Sequence, residues 1–211
     1  MTHPEETDQV LIFSNLANAG GRGKRLHLFF DDPRGRRLYE ERRTLDSRTI
    51  DLDALALLPP GTLGHEYAKF MTAHGLTPDV FDGRPEHVRD ERAAFVIQRM
   101  RQTHDLWHVV TNAETDPVGE VALQAFTFAQ VRAPSSAILA TLGTLRSLRY
   151  TRDVMRDAMQ LYRVGKQAEP LVVFPWEDHW ATPVIEVRRL LGLPEQPPVT
   201  GGYTNDLMEA A

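Results

Sequence analysis

Apolar residues recur at three- and four-residue intervals along most of this chain. From Asp32 to Gly192 that pattern, punctuated by proline and glycine, predicts a series of helices. Pro33 sits where a first helical turn accepts proline, ahead of the polar helix RGRRLYEERRTL. In PPGTLGHEYAKFMTAHG, Thr62 is the expected cap, Leu63, Tyr67, Phe70 and Met71 form one face, and Gly75 ends the helix; His65, Glu66 and His74 read as surface and cap residues. One long helix is expected over 87–111, and the next starts with Asp116 as cap and Pro117 at the first position. Ser135 or Ser136 caps AILATLGTLRSL, and TRDVMRDAMQLYRVG aligns Met155, Met159 and Tyr162 before Gly165. LVVF at 171–174 reads as one short strand, and the final helix ends at Gly192. AGGRGKR lacks the Ser or Thr that a phosphate loop needs after Lys24 and reads as a flexible turn. Strands and helices do not alternate, so the expected fold is all-α: a single compact helical domain over 32–195, an N-terminal segment 1–31 with helical potential, and a loose C-terminal tail over 196–211.

Composition narrows the function classes. The chain has 211 residues, 42% of them hydrophobic, enough for one sizeable core. Its net charge of −5, without a long basic run, offers no stripe to neutralise phosphates, which argues against nucleic acid as a partner. The absence of cysteine excludes disulfides, thiolate zinc sites, iron–sulfur clusters and a cysteine nucleophile, so any metal must use His, Asp and Glu. The opening MTHPEETDQV has neither the apolar core of a secretory signal nor the basic amphipathic character of a transit peptide. No apolar run approaches the roughly 18 residues of a membrane span. The expected location is the bacterial cytoplasm, with peripheral attachment to the inner membrane as the other option.

The stretch HDLWHVVTNAETDPVGE, residues 104–120, concentrates two of the eight histidines with four carboxylates. At about 100° per residue, Ile97, Met100, His104, His108 and Thr111 fall within an arc of about 80°, so both histidines lie on the apolar, inward face. Residues four apart stack closely enough to share one ion, and two buried neutral imidazoles need partners that a metal supplies together. His108 lies about one turn before its helix ends and Glu120 about one turn after the next begins; an antiparallel helix hairpin with a short loop brings them level. Glu120 would also serve its helix simply as an early-turn acid. Asp105 lies about 80–100° around from the histidines, as a fourth ligand or as an orienter of an imidazole. An Asp one methylene shorter than the Glu of HExxH disfavours protease chemistry. Two imidazoles with one or two carboxylates suit zinc, and equally the two-His, one-carboxylate set of a non-haem iron site.

HDxxH followed by eleven residues and Glu is the mark of the ubiquinone-biosynthesis family Coq four, and this chain resembles it through His104, Asp105, His108 and Gly119-Glu120. DPRGRRLYEER, PPGTLGHEYAKFM, FVIQRMRQTHD and WEDHWATPVIEVRRLLGLP extend the resemblance over residues 32–195. Three features depart from it: Asn112 stands where the family pattern has Gly, the loop Ala113 to Asp116 is more acidic, and residues 1–31 lie outside. The resemblance implies a helical, often dimeric protein that holds a divalent metal, usually zinc, through His104, Asp105, His108 and Glu120 as its catalytic residues. It also implies an apolar cavity for a polyprenyl tail, C1 decarboxylation and hydroxylation of a prenylated 4-hydroxybenzoate, and association with other quinone-biosynthesis enzymes. Because zinc has no redox chemistry of its own, iron, cobalt and manganese stay open as alternatives. Two other functions stay open: a non-catalytic polyprenyl-binding scaffold, and a metal-dependent small-molecule tailoring enzyme of another bacterial pathway.

Leu123, Phe126, Phe128, Ile138, Leu139, Leu142 and Leu145 offer a lining for such a tail, although each reads first as core. Arg146, Arg149 and Arg152 read as a solvated helix face, or as a contact for a lipid or carboxylate headgroup. Asp178 and His179 are a second metal candidate, set against a plainer reading in which Trp176 and Trp180 anchor packing and Asp178 caps.

Overall fold

The computed structural model describes residues 22–81, 88–149 and 151–202. Among them no strand occurs, only an isolated antiparallel bridge between Thr62 and Pro183, and the fold is all-α. In chain order the helices are α1 (Arg22–Phe30), α2 (Pro33–Glu40), α3 (Leu52–Ala56), α4 (Leu63–His74), α5 (Glu91–Gln102), α6 (His104–Thr111), α7 (Pro117–Val131), α8 (Pro134–Ser147), α9 (Asp153–Gln167) and α10 (Val184–Leu190). Short 3-10 turns lie at Pro78–Phe81, Leu171–Val173 and Trp176–Asp178. The described backbone groups into two compact units, residues 26–81 and 88–113 with 167–198, and residues 22–25 with 114–149, 151–166 and 199–202.

The first unit is organised around the start of α4. Thr62 is its N-cap residue, as its place in the sequence predicts, but the Thr62 hydroxyl donates backward to the Pro59 carbonyl. The first backbone N–H groups of α4, which have no partner inside the helix, are satisfied from far along the chain. Leu63 donates to the Thr182 carbonyl and Gly64 to that of Trp180, each at 2.8 Å, while Val184 N–H returns a bond to Gly61. Gly61 takes φ +85° to make this turn. Gly64 lies where a Cβ would come within 3.1 Å of the Trp180 carbonyl oxygen. GTLG and WATP are therefore the two sides of one backbone lock, sealed by Tyr67 stacked on Trp180.

A second tie is ionic. Arg99 of α5, 1% exposed, forms a two-pronged pair with Glu177 and also donates to the Phe174 carbonyl at 3.1 Å. Trp176, next to Glu177 in sequence, is fully buried, as expected of an anchor.

Several local expectations change. AGGRGKR is no turn throughout, since α1 begins at Arg22. LVVF forms a 3-10 turn followed by extended Phe174, not a strand: the run is buried, but Pro170 and Pro175 bound it and a short apolar run cannot separate the two periodicities. The expected helix over 87–111 breaks at Thr103, whose hydroxyl bonds back to the Arg99 carbonyl and whose backbone caps both α5 and α6. Neither Ser135 nor Ser136 caps α8; Pro134 sets the first turn, Ala133 precedes it, and both serines are buried. Asp178 pairs with Arg43 instead of capping.

In the second unit, α7 starts as the sequence predicts, with the Asp116 carboxylate accepting from Val118 and Gly119 N–H at 3.0 and 2.7 Å and Pro117 at the first position. Close approach makes its core: a Cβ on Gly143 of α8 would meet the Val121 side chain at 2.3 Å, and one on Gly165 of α9 would meet Phe126 at 3.0 Å. Leu123 and Phe126 are plain core, fully buried. In the expected C-terminal tail Thr200 is buried and its carbonyl accepts from Glu114 N–H at 2.9 Å, while 203–211 lie outside the described residues.

Removing one member of the Arg99 pair strands a charge inside the protein. Arg99→Met is expected to lower unfolding stability by about 3–5 kcal/mol, and adding Glu177→Leu to recover part of that loss. Urea denaturation followed by circular dichroism measures both; a double variant as unstable as the single would show that packing, not the stranded charge, sets the loss.

Candidate metal centre

The break at Thr103 makes His104 the first residue of an eight-residue helix, with His108 one turn later and the chain leaving at Asn112. His108 is buried and His104 partly buried, so the inward direction read from the sequence holds despite the break. Their Nε2 atoms lie 3.3 Å apart, with the rings perpendicular. The His108 ring lies against Phe70 of α4, centroids 5.5 Å apart and nearly parallel.

One contact decides what His108 can offer. Its Nδ1 lies 2.9 Å from the Ala113 carbonyl oxygen. A carbonyl can only accept, so Nδ1 carries the proton, and in the neutral ring Nε2 is left with its lone pair directed at His104. The geometry requires the backbone to double back immediately after α6, and Asn112 does this in the left-handed region at φ +59° and ψ +34°. Asn is the non-glycine residue that best tolerates that region, so it can make the turn. The Asn112 side chain donates to the Pro197 carbonyl at 3.2 Å.

The carboxylate comes from the start of α7. Glu120 N–H bonds to the Asp116 carbonyl at 2.9 Å, so the Asp116 cap fixes Glu120 in the first turn. Gly119 is required by the loop: a Cβ there would stand 2.1 Å from the Glu114 carbonyl oxygen. One donor atom each from His104, His108 and Glu120 lie within 4.8 Å of one another.

Asp105 is outside that set of three. It lies one residue on from His104, near Tyr67 of α4, whose hydroxyl is pushed well above its ordinary pKa first by burial and then by the Asp105 charge. His65 and His74 bond to the backbone carbonyls of Ala56 and Phe70, as expected of surface and cap residues. His179 faces the Thr182 hydroxyl at 3.3 Å, and Asp178 faces Arg43, so that pair is engaged elsewhere.

The donor chemistry fits a divalent ion. Two nitrogens at 2.0–2.1 Å from a tetrahedral zinc ion stand about 3.3 Å apart, the separation of the two Nε2 atoms here. A locked Nδ1–H on one imidazole is the arrangement that holds a histidine ligand in its metal-binding tautomer. Phe70, the Ala113 carbonyl and the left-handed Asn112 were not singled out from the sequence as parts of the site; only Asn112 carries a local signal, an Asn directly after a helical run.

Comparison with known proteins gives a consistent result. The family described as "Coenzyme Q (ubiquinone) biosynthesis protein Coq4" matches residues 1–197, extending through the N-terminal segment that the sequence reading left outside the resemblance. The chain is 36% identical over 168 residues to the mitochondrial ubiquinone biosynthesis protein COQ4 of Pyricularia oryzae, a match covering 79% of this chain and 55% of that protein. It is 34% identical to the mitochondrial COQ4 homologue of Danio rerio, covering 81% of this chain and 63% of the other. The chain thus spans less than two thirds of these curated relatives. A crystal structure of a Nostoc punctiforme protein whose name assigns it to ubiquinone biosynthesis superposes with a TM-score of 0.73 at 29% identity, covering 89% of each chain.

Gly119→Ala is expected to destabilise the protein by about 3 kcal/mol or more, because both the Cβ and the Glu114 carbonyl it would strike are fixed to backbone. Chemical denaturation measures this; stability equal to the parent would show that the loop yields.

Proposed function

Since the chain belongs to the Coq4 family of coenzyme Q biosynthesis proteins, we propose that it is a metal-dependent protein of quinone biosynthesis, in which His104, His108 and Glu120 bind a divalent cation and Asp105 orients or completes the set. The observation that carries this reading is the His108 lone pair, fixed by the Ala113 carbonyl and directed at the His104 nitrogen. Zinc is the first choice, with iron, cobalt or manganese as the alternatives for an oxidative step.

The proposed reaction replaces the C1 carboxylate of a prenylated 4-hydroxybenzoate by hydroxyl, with dioxygen as the two-electron oxidant: acid, dioxygen and water give the phenol, carbon dioxide and hydrogen peroxide. When bound, the ion supplies Lewis acidity toward phenolate and carboxylate oxygens. The protein residues do the rest. The Ala113 carbonyl keeps the His108 proton on Nδ1, so His108 presents its Nε2 lone pair beside the His104 nitrogen, and Phe70 covers the His108 ring. A homodimer and contacts with other enzymes of the pathway belong to the same proposal.

A polyprenyl substrate is held in a lipid bilayer, and the second unit has a surface suited to one. Ile138, Leu142 and Leu145 fall within an arc of about 60° on α8 and are 38%, 59% and 61% exposed. Met155 and Met159, four apart on α9, are about half exposed. Residues 134–166 carry six basic residues against two acidic ones in a chain of net charge −5, and Arg146, Arg149 and Arg152 are all exposed. Exposed apolar side chains amid cations suit the surface of an anionic bilayer. No described helix is long and apolar enough to cross one. The same surface favours, as a second reading, a scaffold that holds polyprenyl lipids without turning them over.

Two measurements test these proposals. Elemental analysis after dialysis against zinc is expected to give about one ion per chain, with His108→Ala and Glu120→Gln each weakening binding by at least about tenfold; binding unchanged in His108→Ala would remove the site. Sedimentation with phosphatidylglycerol vesicles is expected to fall sharply in Leu142→Asp/Leu145→Asp and in 0.5 M salt. Equal sedimentation of parent and variant would remove the membrane surface, while conversion of a prenylated hydroxybenzoate by protein, metal and oxygen alone would exclude the scaffold.

A further inference from the structure

The helix that carries both histidines is closed at its far end by a residue distant in the chain. Arg188 of α10, partly buried, donates from Nε to the Val110 carbonyl at 2.9 Å and from Nη2 to the Val109 carbonyl at 3.1 Å. Its Nη1 donates to the Glu195 carbonyl at 3.2 Å. Val109 and Val110 lie in the last turn of α6, where carbonyls have no amide ahead of them in the helix and carry the negative end of its dipole. Burial opposes the guanidinium charge, and the carboxylate of Glu66 favours it. A planar fork held on two successive carbonyls fixes orientation as well as charge.

Two residues beyond this clamp, Asn112 turns the chain, and Ala113 follows with the carbonyl that accepts from His108. We propose that Arg188 is a positioning residue for the metal centre: by holding the Val109 and Val110 carbonyls it fixes the direction in which the chain leaves α6, and thereby keeps the Ala113 carbonyl on His108 Nδ1. It acts through His108 and touches neither ion nor substrate. The proposal rests on the metal-site reading only for the affinity measurement below.

The test compares Arg188→Lys, which keeps the charge but loses the fork, with Arg188→Met, in metal-free protein labelled with ¹⁵N. Long-range proton–nitrogen spectra of the His108 ring are expected to show Nδ1 protonated and Nε2 bare in the parent, and mixed tautomers in both variants. Zinc affinity is expected to fall about 10–100-fold in each. Val154→Ala, a cavity in the core of the other unit, is expected to lower stability while leaving the His108 tautomer unchanged. Should Arg188→Met fail to fold, Arg188→Lys carries the comparison. An unchanged tautomer and affinity in the folded variants would overturn the proposal. A tautomer that shifts in a protein that takes no zinc even as the parent would uphold Arg188 and remove the metal reading instead.

Discussion

A neutral imidazole can present a lone pair from one nitrogen only while the other holds the proton, and the hydrogen bond from His108 Nδ1 to the Ala113 carbonyl makes that choice here. Much of the local structure serves this contact. The interruption at Thr103 shortens α6 to two turns, with His104 opening it and His108 one turn further along the same face. The left-handed Asn112 reverses the chain soon enough for Ala113 to lie beside the ring it follows. Phe70 limits the ring's rotation from one side. These are backbone requirements as much as side-chain ones, and they leave little freedom in how the histidine is presented.

The same economy governs the start of α4. Its first amides are satisfied by carbonyls from 180 and 182, and the segment that supplies them leads directly into α10 and Arg188. The helix bearing Phe70 and the helix bearing His108 are thus held by one stretch of chain, at the N-terminal end of the first and the C-terminal end of the second. Two sequence segments that resemble the family separately are, in the folded protein, a single mechanical element.

Most of the helices were legible because their signals are local: Asp32–Pro33 and Asp116–Pro117 at starts, Gly75 and Gly192 at ends, and periodic apolar faces between them. The two histidines were legible for the same reason, since a spacing of four survives even the unforeseen break before His104. Thr103 escaped notice because a threonine that bonds backward looks like any other within a helical pattern. LVVF was misread because burial, rather than pairing, explains its composition. Arg188 and the 180–182 carbonyls could not be found from one sequence at all: their partners lie about 80 to 120 positions away, and nothing in a charged helix such as VIEVRRL distinguishes an arginine that clamps carbonyls from one that meets water.

The distance between Arg188 and its acceptors also sets an order of events at the ribosome. Val109 and Arg188 are separated by 79 positions, and at ordinary rates of synthesis that interval lasts about 4 to 16 s. Until then the last carbonyls of α6 lack this partner, and the first amides of α4 lack theirs until residues 180–182 emerge. The histidines are synthesised well before the arginine that clamps the end of their helix. Closure of the C-terminal end of α6 is consequently a late event in the birth of the chain, coupled to emergence of α10.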